Sequence, residues 1–424
     1  MLGISQVFMG FMQRLKKIES ERVMPTGKKS FAKILKWRLY HCYLQFRMFC
    51  IRRKEKIRLC FLVQELTQWK TESLYKAMLE HPRFEPVLAI SPSLGYPGAE
   101  KELMKYCDSK GYDYAWLDPQ KTLSEQLKVD IAIHEKPYPK EMHLAHQVDN
   151  NRKIPFIFIP YYMSTITEEW VVNKRLNLMC WRQFVDNESC KEEWKKIHRL
   201  KGLTYKVTGL PVMDELLTPK EMLNDVWPSK DGRKRIIYAP HHTIAEMHVK
   251  GIGYSTFLDY CDFMLEMRDK YRDKVYFVFK PHPSLRNKLL KYWGTEKTDA
   301  YYRMWEQEGN SHVETGKYLS LFKYSDAMIH DCGSFTVEYM YMDNPVMYLV
   351  RDGHHTDNMI PYAREAFDLH YKGKNREDIE NFILDVVNEK DPLKEKRARF
   401  KEQNLLPPNG KSACENIIDS ILGK

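Results

Sequence analysis

From residue 57 to residue 350 the chain alternates short apolar runs with helical stretches, and that alternation restricts the fold more than any other feature. Arg58 to Gln64 (RLCFLVQ) reads as a first strand, residues 69–80 as a helix and Phe84 to Ile90 as a second strand. Short strands follow at Asp113 to Trp116, Ile131 to His134, Met179 to Val185 and Tyr205 to Thr208. Ile154 to Pro160 (IPFIFIP) is apolar on both faces, as a strand covered on both sides by helices must be. A second series begins near residue 230. Its strands are Arg235 to Ala239, Val275 to Lys280, His312 to Glu314, Ala327 to Ile329 and Val346 to Leu349, with a helix at 253–269. Helices are expected again at 376–390 and 411–422. Strands separated by helices imply βαβ units and parallel, doubly wound sheets. The fold class expected is therefore α/β with two Rossmann-type lobes. The first spans residues 57–218 and the second 219–400, with a C-terminal helix in 401–424 and a cleft between the lobes where ligands bind. The Pro-containing stretch Leu216 to Asp231 reads as the linker.

The net charge of +10 is unevenly placed. Residues 1–56 carry 14 Lys/Arg and 3 Glu, a net +11, and the remainder carries −1. Within this arm, residues 4–18 and 31–50 are amphipathic and basic, with Phe31, Trp37, Tyr40, Phe46 and Phe49 interleaved with Lys33, Lys36, Arg38 and Arg47. Such helices lie in the interface of an anionic membrane; a helical hairpin packed on the protein body is the competing reading. No nucleic-acid motif accompanies the charge, so no nucleic-acid partner is expected. Ile154 to Met163, the longest apolar run, is about half of what a helix needs to cross a bilayer. The start of the sequence lacks a secretory pattern. Nine cysteines without CxxC or metal-ligand spacing suit reduced thiols in a cytosol. The expected location is cytoplasmic, peripheral on the inner face of the membrane.

Three polar clusters directly follow strands of the second half. They are Tyr238-Ala239-Pro240-His241-His242-Thr243, Lys280-Pro281-His282-Pro283-Ser284 and Asp331-Cys332-Gly333-Ser334, the last leading into Thr336. In a parallel sheet these carboxyl ends face one side and can converge. Imidazoles, an ammonium, hydroxyls and a helix N-terminus suit a pyrophosphate. They do not suit paired-carboxylate chemistry on a neutral sugar. Against this stand plainer roles, with Ser334 as a helix cap, the histidines as turn residues and Asp331 as the end of an apolar strand. No Gly-rich dinucleotide or Walker motif is present, and neither a resident cofactor nor a metal is expected.

YAPHHT, FKPHP and YSDAMIHDCGSFTVEYMYMDNPVMYL, in this order, resemble the CDP-glycerol glycerophosphotransferase family of teichoic-acid and capsule polymer enzymes. Thr208 to Asp214 resembles that family's Gly-x-Pro-x-x-Asp segment. The resemblance covers roughly residues 130–370. It implies a GT-B fold and a peripheral enzyme that moves glycerol phosphate from a CDP-linked donor to a membrane-linked glycan. His241, His242, Lys280, a protonated His282, Gly333, Ser334 and Thr336 would surround the donor pyrophosphate, and His282 would also act catalytically. The family's Trp-His-Gly-Thr motif, whose His is the proposed base, is replaced by Tyr161-Tyr162-Met163-Ser164-Thr165. The base is then to be sought among His134, Glu135 and Glu168, with Tyr161 and Tyr162 placing the acceptor. A nucleotide-sugar glycosyltransferase and a non-catalytic polymer-binding protein are the alternative readings.

Overall fold

The computed structural model describes residues 31–244, 254–307, 309–316, 318–351 and 356–424. The amphipathic stretch at 4–18 lies outside these residues. Two all-parallel sheets form the body. The first contains β1 (Ile57–Val63), β2 (Phe84–Ile90), β3 (Tyr114–Trp116), β4 (Ile131–His134), β5 (Phe156–Phe158), β6 (Arg182–Val185) and β7 (Tyr205–Val207), in the order β3-β2-β1-β4-β5-β6-β7. The second contains β8 (Lys234–Ala239), β9 (Val275–Phe279), β10 (Ser311–Val313), β11 (Ala327–His330), β12 (Val346–Leu349) and β13 (Tyr371–Gly373), in the order β10-β9-β8-β11-β12-β13. Each sheet therefore reverses its winding once, between β1 and β4 and between β8 and β11. Crevices at these reversals are where open α/β sheets bind ligands.

The central strands are buried throughout, as expected of sheets covered on both faces. β5 is shorter than the apolar run that encodes it, because Pro155 and Pro160 have no N–H to give the ladder. β13 and the charged helix Lys394–Asn404 lie outside the sequence expectation; a three-residue strand and a segment without apolar periodicity leave no pattern to detect.

The helix Phe31–Arg52 is docked on the first lobe. Tyr40, Leu44, Met48 and Ile51 recur at helical spacing and are buried, and Trp37 packs on Leu178 and Leu200. Each such side chain stabilises the docking by roughly 1.5–3 kcal/mol if fully buried. The outward face keeps Leu35, Leu39, Phe46 and Phe49 exposed, with the Arg53 guanidinium 3.8 Å from the Phe49 ring. One face of this helix thus packs on the body, as the competing reading expects of residues 31–50. Among the described residues no helix is long and apolar enough to cross a membrane.

The Gly-x-Pro-x-x-Asp segment is structural. Asp214 accepts hydrogen bonds from Ala413 N (2.7 Å) and Cys414 N (2.8 Å), the first two N–H groups of the helix Ala413–Leu422, whose N-cap is Ser412, and so fastens that helix to the first lobe. Gly209, at φ +74°, passes so close to this helix that a Cβ would stand 3.1 Å from that of Ala413. At the far end of the same helix Arg52 donates to the Ile421 and Ser420 carbonyls, both at 2.9 Å.

Candidate active site

β9, β8 and β11 are neighbours, so the three polar clusters of the second lobe open on one edge of the sheet, around its reversal point. Asp331 ties them together. Its carboxylate accepts from His241 N (2.5 Å), Thr256 N (2.6 Å) and Thr256 Oγ1 (3.0 Å), and His282 N donates to Pro240 O (3.0 Å). Burial pushes Asp331 up to about 6, against the pull of these donors. The residue is a brace inside the site rather than a strand terminator.

The brace gathers three imidazoles. Ring centroids are 4.3 Å apart for His241 and His242, 4.2 Å for His242 and His282, and 5.0 Å for His241 and His282. Burial first, then the neighbouring cations, holds His282 down to about 3 and His241 well below the ordinary value. Both rings are neutral at physiological pH, which corrects the expectation of a protonated His282.

The hydrogen bonds fix the tautomers. Ser284 N–H donates to His282 Nδ1 (3.1 Å). Thr243 Oγ1 accepts from Tyr254 N (3.0 Å) and Ser255 N (3.2 Å), so its own proton goes to His241 Nδ1 (3.0 Å). Both rings therefore carry their proton on Nε2. The three histidines lie close enough for one ligand atom from each to reach a metal ion. A metal, however, needs a bare nitrogen, and in His241 and His282 that nitrogen is already an internal acceptor. The set fits an anion that accepts N–H donors better than a cation.

The Gly333 turn faces the first lobe. A Cβ on Gly333 would stand 3.8 Å from Thr165 Oγ1 and 4.0 Å from Tyr254, so the glycine keeps a gap open. The N–H groups of Gly333 and Ser334 meet no acceptor among the described residues. Ser334 makes no capping bond. Two expected ligands are turned inward. Thr336 is buried and donates through Oγ1 to Cys332 O (3.2 Å), so its hydroxyl is spent inside the turn. Lys280 is buried and donates to Gly316 O (2.9 Å), and desolvation lowers it to about 8.

The first lobe presents a different chemistry. At the reversal between β1 and β4, Lys136 Nζ lies 2.6 Å from Glu65 and 2.7 Å from Glu141, and Ser93 donates to Glu65 (3.0 Å). Tyr96, whose ring lies beneath Lys136, reaches across to Ser284 Oγ (3.0 Å). None of these residues stands out in the sequence; the only signal is a Lys following directly on His134 and Glu135. His134 is buried and held neutral, down to about 3. Glu135 accepts from Lys70 N (2.7 Å), and burial pushes it up to about 8. Tyr161 and Tyr162 pack edge to face at 4.9 Å and are pushed well above 10 by burial, so neither is a base. Beyond them the chain 164–168 crosses to the second lobe. Ile166 bridges Met359, Thr167 N donates to Asn358 O (2.6 Å), and Asn358 Nδ2 donates to Glu168 (2.9 Å). Glu168 also faces Tyr254, which lies next to His241 and the Gly333 turn. Of the three candidate bases, Glu168 is the one at the seam between the lobes.

Two parallel α/β lobes with polar clusters at the carboxyl ends of their strands define a GT-B-type fold. Solved structures share it. The wall teichoic acid polymerase TagF aligns over 93% of this chain and 98% of its own at 13% identity (TM-score 0.59). MnaA of S. aureus, solved with UDP, aligns over 86% and 96% at 15% identity (TM-score 0.54). The UDP-GlcNAc 2-epimerase of Neisseria meningitidis, bound to UDP-GlcNAc, aligns over 87% and 100% at 16% identity (TM-score 0.54). No curated protein matches the chain by sequence. The profile of the CDP-glycerol:poly(glycerophosphate) glycerophosphotransferase family matches residues 164–423. The chain belongs to this family and is an enzyme of glycerophosphate transfer.

Proposed function

We propose that the protein transfers glycerol phosphate from CDP-glycerol to a hydroxyl of a membrane-linked surface glycan, releasing CMP. The convergence of His241, His242 and His282 with the Gly333 turn on one edge of the second lobe is the observation that carries this reading. The acceptor oxygen attacks the distal phosphorus in line. A P–O bond to the acceptor forms as the bond to CMP breaks, and the hydroxyl proton passes to the Glu168 carboxylate. Nε2–H of His241 and His282 and the free N–H groups of the turn stabilise the charge on the equatorial and leaving oxygens. Their neutrality keeps the rings as donors of fixed direction without the desolvation cost of buried cations. Tyr161 and Tyr162 flank the acceptor. The outward face of Phe31–Arg52, with Phe46 and Phe49 beside Arg53, rests on the anionic inner face of the membrane.

The test supplies the purified chain with CDP-glycerol, a lipid-linked glycan and anionic vesicles. The expected products are CMP and a glycerol phosphate ester, formed equally well in excess EDTA. EDTA-abolished turnover would show that a metal takes part. Release of UDP from a nucleotide-sugar instead would make the enzyme a glycosyltransferase, and glycan binding without CDP-glycerol binding would make it non-catalytic. Vesicle sedimentation that survives Phe46→Glu with Phe49→Glu would remove the helix from the membrane contact.

A further inference from the structure

The donors that the Gly333 turn offers are backbone N–H groups, so they are aimed by whatever holds the backbone rather than by a side-chain rotamer. Four hydrogen bonds hold it. Tyr348 donates to Asp331 O (3.3 Å), Thr336 Oγ1 to Cys332 O (3.2 Å) and Thr336 N to Gly333 O (3.3 Å). The fourth involves His330, the last residue of β11, whose Nδ1 accepts from Cys332 N (3.1 Å). The next two N–H groups along the chain, those of Gly333 and Ser334, are the ones that meet no acceptor among the described residues.

His330 is a costly residue for this position. Its ring is fully buried, 5.2 Å from the Tyr348 ring and 5.2 Å from that of His370. Because Nδ1 accepts, the proton sits on Nε2, which has no acceptor among the described residues. A buried donor left unmet bears its full desolvation penalty, and an apolar side chain ending this apolar strand would avoid it. What the imidazole supplies and an apolar side chain lacks is the acceptor at Nδ1. Burial holds the ring neutral, down to about 3, and so keeps that lone pair available.

The device recurs around the cleft. A side-chain acceptor at position i for the N–H at i+2 is the arrangement of an Asx-turn, made here by an imidazole. His282 Nδ1 accepts from Ser284 N (3.1 Å) in the turn after β9, and His134 Nδ1 from Lys136 N (3.4 Å) at the end of β4.

We propose that His330 is a positioning residue for the transfer: its Nδ1 sets the Cys332 peptide and thereby points the Gly333 and Ser334 N–H groups at the phosphate oxygens of the donor. It touches no substrate and acts only through the turn. This rests on the transferase reading above.

Three variants separate the acceptor from the bulk of the ring. His330→Asn keeps an acceptor for the i+2 N–H and loses volume. His330→Val and the larger His330→Phe fill the strand end without an acceptor, and either serves if the other does not fold. With CDP-glycerol saturating and each variant folded by circular dichroism, CMP release should fall about ten- to hundredfold in His330→Val and His330→Phe. His330→Asn should keep most of it. A ring that only fills space predicts the reverse ranking, because His330→Asn leaves the largest cavity. Wild-type turnover in a folded apolar variant overturns the proposal. An equal loss in His330→Asn also overturns it, by assigning the effect to the shape of the ring. Calorimetric titration with CDP, which carries the pyrophosphate but no group to transfer, gives a reading free of turnover. CDP affinity should follow the same order, His330→Asn above His330→Val, and an affinity equal in all variants removes His330 from the donor site. If the wild type binds CDP yet releases no CMP from CDP-glycerol, the transferase reading falls, and the ranking in CDP affinity still decides the role of His330.

Discussion

The two lobes put their sites at the same topological place and fill them with opposite chemistry. At the β8/β11 reversal, the imidazoles carry no charge. The Asp331 carboxylate is consumed as a brace. At the β1/β4 reversal, charge is kept: the buried Lys136 sits between the buried Glu65 and the partly exposed Glu141, one ammonium against two carboxylates. A shared fold therefore does not dictate a shared site, since the residue types at the strand ends decide it. The neutral, braced side suits a highly charged donor, where fixed dipoles work without reorganising. The internally paired side has little left for a ligand, apart from Glu168 at the seam.

The comparison can be broken by mutation. Glu168→Gln should lower kcat about 10²–10⁴-fold, with CDP-glycerol affinity unchanged. His282→Ala should cost about 10²–10³-fold in kcat. Steady-state CMP release measures both. A Glu168→Gln enzyme at wild-type rate would move the base back to Glu135 or His134.

The neutrality of the donor side also sets an acid limit. The folded-state pKa of His282, about 3, lies below its unfolded value near 6.5. Its stabilising contribution is therefore complete above pH 6.5 and is lost as pH falls through that value toward 3. The slope is about 1.4 kcal/mol per pH unit for one proton. Urea denaturation of wild type and His282→Gln from pH 7.5 to 4.5 should show the variant losing less stability by roughly one proton's slope. Parallel curves would mean that the ring is charged in the fold.

The smallest effect belongs to a residue outside both sites. Asp214→Ala should cost about 1 kcal/mol of stability and quicken hydrogen exchange in 413–422, with kcat unchanged. A loss of turnover would return the Gly-x-Pro-x-x-Asp segment to the chemistry.

The second lobe was the more legible in sequence. Its motifs are contiguous with their strands, so YAPHHT, KPHPS and HDCGS mark strand ends by themselves. Their convergence follows once the sheet is parallel. What stayed hidden depends on contacts far apart in sequence. Asp331 braces His241 and Thr256, 90 and 75 residues away. Tyr96 meets Ser284 across 188 residues. Thr336 and Lys280 carry the right groups, but only the packing shows that these point inward. The burial that keeps His282 neutral is tertiary and leaves no local pattern.

The clasp between Arg52 and the final turn of Ala413–Leu422 has a mechanical consequence. The polypeptide leaves the first lobe near residue 218, builds the second, and returns to be fastened beside the N-terminal helix. The second lobe is thus a loop held at both ends by one body. If that body lies against a membrane through Phe46 and Phe49, it acts as the stator. The second lobe is then anchored to that body through both chain crossings, in addition to the contacts of Thr167 and Glu168 with Asn358.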